Sequence, residues 1–140
     1  MSWTDADFDA MSWHDVHVYG FRVFEISGGQ GAADLVFDLD YILQWLRPPP
    51  GQPFQFEVAQ ASLRFHHARN LQVALDYKTP TAGMGPFSLD GISRTRLEGR
   101  DGWSWLLEAN WPAGRIAFTQ TLVGPARTQG AQHLESAYRV

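Results

Sequence analysis

The side chains of this chain that could do chemistry fall mainly into two short pairs. Asp15 and His17 lie two apart, as do Asp38 and Asp40. Residues two apart on a strand share a face, so each pair would present its side chains together. If the segments carrying them are neighbours in a hairpin, Asp15 and His17 approach Asp38 and Asp40 across the sheet. A histidine among carboxylates can bind a divalent metal or move a proton. His14, His66 and His67 complete the candidate set. The pattern His14-Asp15-Val16-His17 is no zinc signature, and His66 and His67 would point to opposite faces of a strand. Paired carboxylates also serve glycoside hydrolysis at separations of about 5–5.5 or 6.5–9.5 Å, and alternate residues of a strand lie about 6.6–6.8 Å apart. Any Asp-x-Asp strand has that spacing, so it selects no reaction. Adjacent carboxylates repel and need a cation or a proton if buried together. Acids solvated on a sheet face, or bonded separately to backbone, require fewer assumptions, and we expect no metal and no catalytic pair here.

The elements that must position these residues are strands. Leu35, Phe37, Leu39, Tyr41, Leu43 and Trp45 occupy every odd position of one run, with Asp38 and Asp40 between them. Six such side chains would line one buried face, so a strand over 34–46 is expected at the centre of a sheet. The alternative, one helical turn capped by Asp40, breaks this alternation. An earlier strand is expected over 14–26, with Val16 and Val18 inward, ending at the cluster Ser27-Gly28-Gly29-Gln30-Gly31. That cluster is a hairpin loop rather than a phosphate loop, because no Gly-Lys-Ser/Thr follows. Pro48, Pro49 and Pro50 make an extended loop. Phe54, Phe56 and Val58 then alternate on even positions, and Ala61, Leu63 and Phe65 on odd ones. A β-bulge at Ala59-Gln60 would restore one inward face. Ala68-Arg69-Asn70 reads as a turn before an inward row of Leu71, Val73, Leu75 and Tyr77. A breaker-rich loop covers 79–86, and a weaker segment follows at 87–97. Gly99–Gly102 turns the chain. Trp103, Trp105, Leu107, Ala109 and Trp111 then alternate, and Pro112-Ala113-Gly114 leads into Ile116, Phe118 and Leu122. The tail beyond Gly124-Pro125 is open between a short helix and a last strand. The pattern predicts an all-β antiparallel sandwich or barrel of about seven strands, with room for one short C-terminal helix.

Composition narrows the function classes. The chain has 140 residues, 44% of them hydrophobic, with six Trp and no Cys. A domain of this size removes roughly 68–70% of its unfolded surface from water, so a core without staples is feasible. Without cysteine there is no thiolate nucleophile, thiol redox chemistry or Cys-based zinc site. No Gly-x-Ser-x-Gly elbow is present. Asp5, Asp7 and Asp9 account for all but one unit of the net charge of −4. The remaining body is nearly neutral and lacks the basic excess that nucleic-acid phosphates require. Arg94, Arg96 and Arg100 read as a solvated edge rather than an anion patch. No apolar run approaches the roughly 20 residues of a membrane span, and the acidic start lacks the features of a secretory signal. We expect residues 1–10 to be a flexible acidic extension, with Met11-Ser12-Trp13 repeating Met1-Ser2-Trp3, and residues 11–140 to be a single β domain in the cytoplasm.

Two aromatic features are relevant to binding. The row Trp103, Trp105 and Trp111 could stack on ligand planes if exposed; Leu107 in the same row favours burial. Met84, Phe87 and the proline loops could close the mouth of a barrel.

Trp13-His14-Asp15, Phe37-Asp38-Leu39-Asp40-Tyr41-Ile42 with Trp45, Val58-Ala59 with Ala61, Leu63 and Phe65, and Gly114 before Ile116 and Phe118 occur in that order over most of residues 11–124. In this arrangement the chain resembles a group of small uncharacterised bacterial proteins with no assigned activity. The resemblance implies a bacterial cytoplasmic protein and supplies no cofactor and no functional residue. Three functions remain. The first is a non-catalytic interaction protein whose partner is another protein. The second is a small-ligand-binding barrel or sandwich. The third is a metal-dependent enzyme using Asp15, His17, Asp38 and Asp40. A filled core with an apolar surface patch favours the first. A cavity lined by aromatics favours the second, and convergence of the acids and histidine favours the third.

Overall fold

The alternating run of 35–45 folds as a strand, and nearly everything else described is strand as well. A computed structural model describes residues 2–26, 28, 30–53, 55–78, 83–121 and 132–139. Its elements are β1 (Ser2–Trp3), a 3-10 helix (Asp5–Ala10), β2 (His17–Glu25), β3 (Ala33–Leu46), β4 (Gln55–Leu75), β5 (Phe87–Arg96), β6 (Gly102–Trp111), β7 (Ala113–Thr121) and β8 (Gln132–Arg139). The expected all-β antiparallel class is observed. The C-terminal segment, open between helix and strand in the sequence, is the strand β8. Phe54, residues 79–82 of the breaker-rich loop and residues 122–131 lie outside the described residues.

The strands run in the order β1-β8-β4-β3-β2-β5-β6-β7, and β4 also pairs with β7. These pairings close a ring of β4, β3, β2, β5, β6 and β7. The closure is uneven, because β2 meets β5 only at His17↔Ser88 and Val18↔Phe87. The ring is therefore not a regular barrel. β4 makes the corner. Its first half pairs with β3 on one edge and β8 on the other, and its second half pairs with β7. The expected turn at Ala68-Arg69-Asn70 does not reverse the chain. His67 and Asn70 have left-handed backbones, φ 54 and 56, and the register with β7 shifts between Arg69 and Gln72. The extra residue bends β4 without ending it.

The core forms from the inward rows of these strands. Leu35, Phe37, Leu39 and Tyr41 of β3 are buried, opposite Phe65, Leu63, Ala61 and Ala59 of β4. Phe65 links the two halves: its ring meets Phe37 edge-on at 5.8 Å, and Trp105 and Phe118 at 4.9 Å each. Trp105 and Leu107 of β6 and Ile116 and Phe118 of β7 complete it. β3 lies between β2 and β4, so its central position is as expected.

Three expectations about faces fail, for identifiable reasons. The bulge is not at Ala59-Gln60. β4 pairs residue by residue with β3 from Phe65 to Gln55, and the extra residue is Leu43 in β3, between the pairs Ile42↔Val58 and Gln44↔Glu57. A one-residue slip exchanges faces, so Trp45 turns outward opposite Phe56. The two rings pack at 5.3 Å, 53% and 41% exposed. In the second half of β4, Leu75 and Tyr77 pack on the core while Leu71 and Val73 are exposed. Trp111 is half-exposed: against β5, β6 carries an extra residue, Asn110, between the pairs Leu89↔Ala109 and Ser88↔Trp111, which breaks the alternation.

Residues 2–10 pack on the domain, in contrast to the flexible extension expected. β1 pairs with β8, and Phe8 is buried in the core cluster. Its ring lies 5.0 Å from Trp105 edge-on and 6.2 Å from Trp13.

Candidate functional site

The candidate acids lie on the outer face of β3, but the four expected residues do not converge. His17 is the register partner of Asp40. Asp15 is not on their face. It precedes β2 in a left-handed turn, φ 63. Its backbone N–H donates to the Leu89 carbonyl at 2.8 Å. Its carboxylate lies 3.4 Å from His14 Nε2 and accepts from Asn110 Nδ2 at 3.3 Å. The hairpin alignment therefore brings one residue of the first pair to Asp40 and leaves the other beside β5 and β6. There His14 also approaches Asp90 Oδ1 at 3.2 Å, and the Ser88 hydroxyl bonds to Asn110 Oδ1.

Along β3, each acid is met by its own neighbours. Asp38 accepts from Ser62 Oγ at 3.1 Å and Arg22 Nη2 at 3.4 Å. Asp40, largely buried, accepts from the Tyr19 hydroxyl at 2.6 Å. Tyr19 reaches it because β2 carries an extra residue between Val18 and Gly20. Asp34, which the sequence reasoning missed, is the best-enclosed acid of the row. Its Oδ2 lies 3.0 Å from His66 Nδ1 and 3.6 Å from Arg64 Nε, and its Oδ1 accepts the His67 backbone N–H at 3.2 Å. Asp34 shares the even phase of Asp38 and Asp40, so its face was readable. Its partners were not, because they depend on the register shift between Ala33 and Leu35. The acids thus have separate partners: an arginine at Asp34 and at Asp38, and a neutral hydroxyl at Asp40. Among the described residues no three His, Asp or Glu side chains are grouped to hold a metal.

The arginines expected at a solvated edge divide. Arg94 is nearly buried, its guanidinium 4.1 Å from the Trp103 ring centre and 4.8 Å from that of Phe8, with Asp9 Oδ1 at 3.5 Å. It is a packing element of the N-terminal segment. Arg96 stacks on Trp103 at 4.4 Å, and Arg100 is exposed in the β5–β6 turn. Of the tryptophan row, Trp105 is core, and its Nε1 donates to the buried Gln120 at 2.9 Å, whose Nε2 donates to the His66 carbonyl at 2.8 Å.

Two features of the described surface concern the binding readings. One is the outward pair Trp45–Phe56, with the half-buried Ile42 and Val58 on the same face. The other is an open cleft of about 440 Å³ beside Val18–Phe21, lined also by Leu75, Tyr77 and the Met84–Phe87 segment. The Tyr77 hydroxyl donates to the Gly85 carbonyl at 3.0 Å and ties that segment down. No helix of the described residues is long and apolar enough to cross a membrane.

These features define an all-β domain whose candidate acids Asp34, Asp38 and Asp40 each meet different neighbours. Compared with protein-family models, with curated proteins and with solved structures, the chain matches none.

Proposed function

We propose that this chain is a non-catalytic interaction protein that binds another protein in a bacterial cytoplasm. The observation carrying the reading is the outward aromatic pair Trp45–Phe56, set on a domain whose core is filled by Phe37, Phe65, Trp105 and Phe118. Aromatic residues dominate binding energy at protein interfaces, and these two are already packed together, so little side-chain freedom is lost on docking. Asp40, two residues from Ile42 along β3, accepts from the Tyr19 hydroxyl beside this patch. The test is binding by the wild type and by Trp45→Ala/Phe56→Ala, using partners recovered from cells and then purified. The double variant should keep the far-UV spectrum and lose at least tenfold in affinity in calorimetry. Equal affinity for every purified partner would overturn the reading.

A second reading is a site for a small apolar ligand, favoured by the cleft beside Val18–Phe21. Its volume falls within the roughly 300–1,000 Å³ of small-molecule pockets, and Met84 and Phe87, expected at a mouth, both line it. Titration with an environment-sensitive apolar dye, on the wild type and on Phe21→Asp, tests it. Binding that is equal in both would exclude this cleft.

A further inference from the structure

β2 leaves the ring after Val18. Its partners on β5 are only Ser88 and Phe87, and from Gly20 to Glu25 it pairs with β3 alone among the described residues. Alternate backbone N–H and C=O groups on that stretch therefore face outward, forming a template for a further strand. Of the side chains there, Arg22 and Glu25 are charged and flank an apolar pair, Val23 and Phe24. Val23 is 57% and Phe24 37% exposed, and residues 20–25 contain no Lys and no Pro. The β5 edge lacks such an apolar pair: its last four residues are Ser93, Arg94, Thr95 and Arg96, and none of its large hydrophobic side chains is exposed. Gly20 adds room, since a Cβ there would meet nothing within 4 Å.

We propose that the β2 edge is a self-association surface, its partner the β2 edge of a second copy of this chain, paired antiparallel about a two-fold axis at Val23. Such an axis brings the same patch of both copies together. Residues directly opposite must share a face, so only registers that pair even with even and odd with odd positions are allowed. Centring on Arg22 sets two arginines opposite each other, which is unfavourable. Centring on Val23 sets Val23 against Val23, and Arg22 against Phe24 of the second copy. Arg22 already lies over its own Phe24 ring, 5.0 Å from the centre, so an arginine–aromatic contact suits this strip. A six-residue edge is short against a standard interface, so the dimer is weak and concentration-dependent. This surface is separate from the Trp45–Phe56 face, and either proposal can fail alone.

Light scattering behind size exclusion, over increasing concentration to the solubility limit, should give a mass rising from 15.8 kDa toward twice that value. Val23→Lys, at an exposed site, should keep the fold by far-UV dichroism and stay at the single-chain mass. The chain has no cysteine, so Val23→Cys can bridge only to a second copy. Directly opposite Cα atoms lie about 4.5–5.5 Å apart, within disulfide reach, and mild oxidation should give a cross-linked dimer. Glu98→Cys, exposed in the β5–β6 turn, is the control and should cross-link at least tenfold less. A wild type of single-chain mass at all concentrations, a Val23→Lys variant that still dimerises, or equal cross-linking of the two cysteine variants would each overturn the proposal.

Discussion

At the scale of single residues, burial and partner count decide which side chains matter. Phe37 is fully buried, stacked on Phe21 at 5.5 Å and edge-on to Phe65. Phe37→Ala should lower stability by about 3–5 kcal/mol, read as the shift of a urea unfolding curve. The acids of β3 look alike in sequence and differ in structure. Asp34 is enclosed and accepts the His67 N–H beside the His66 ring, so Asp34→Ala leaves those groups without their acceptor and should cost about 1–3 kcal/mol. The Asp38 side chain is 45% exposed, and its ion pair with Arg22 spans 3.4 Å. Exposed pairs contribute about 0–1 kcal/mol, so Asp38→Asn should move the same curve by less than about 1 kcal/mol. If the two variants were equally damaging, the enclosure of Asp34 would not be what distinguishes them. The even phase common to these acids was visible in the sequence; which of them finds a cation, a hydroxyl or a backbone N–H was not, since that follows from register.

At the scale of elements, periodicity reported strands well and their irregularities poorly. The unbroken odd phase of Leu35–Trp45, beside the slip between Val58 and Ala61, implies one extra residue somewhere in the β3–β4 pair. It does not say which strand carries it. Placing it in β4 would bury every large side chain. The structure places it at Leu43 of β3 and leaves Trp45 and Phe56 outward together. The corner of β4 resembles a turn in sequence for a related reason: left-handed residues such as His67 and Asn70 serve both turns and bulges. Gly114 was legible as a turn residue, and the structure adds a second demand. It sits between β4 and β6, opposite Leu75 and Ala109, with φ +159, and a Cβ there would overlap the Ala74 carbonyl oxygen and lie 2.8 Å from Leu75 Cα. Backbone cannot yield as a flexible side chain can. Gly114→Ala should therefore lower stability by more than about 1 kcal/mol, whereas Gly20→Ala, in open space, should stay within about 1 kcal/mol. Thermal melts of the two variants side by side check this difference.

At the scale of the whole molecule, the ring depends on a segment whose composition concealed its role. Asp5, Asp7 and Asp9 make the first ten residues look like a solvated tail, and a single Phe8 creates no period for a pattern to reveal. What fixes the segment is long-range. Phe8 enters the cluster beside Trp13 and Trp105, which are 5 and 97 residues away along the chain. Arg94, from β5, lies against the Phe8 ring and reaches Asp9. Removing residues 1–10 would uncover Trp13 and Trp105 and leave Arg94 without one of its ring faces. Burial of a Phe contributes about 1.5–3 kcal/mol by transfer alone, and the cavity left by Phe→Ala raises the loss to about 3–5 kcal/mol. A chain starting at Met11 should therefore melt well below the full chain or fail to accumulate. Full-length Phe8→Ala separates the plug from the loss of β1, and should reproduce most of the effect while leaving the strand pairing of Ser2 and Trp3 available. Denaturant midpoints for the three proteins decide it: a Met11 start as stable as the full chain would mean that the N-terminal segment is not part of the core.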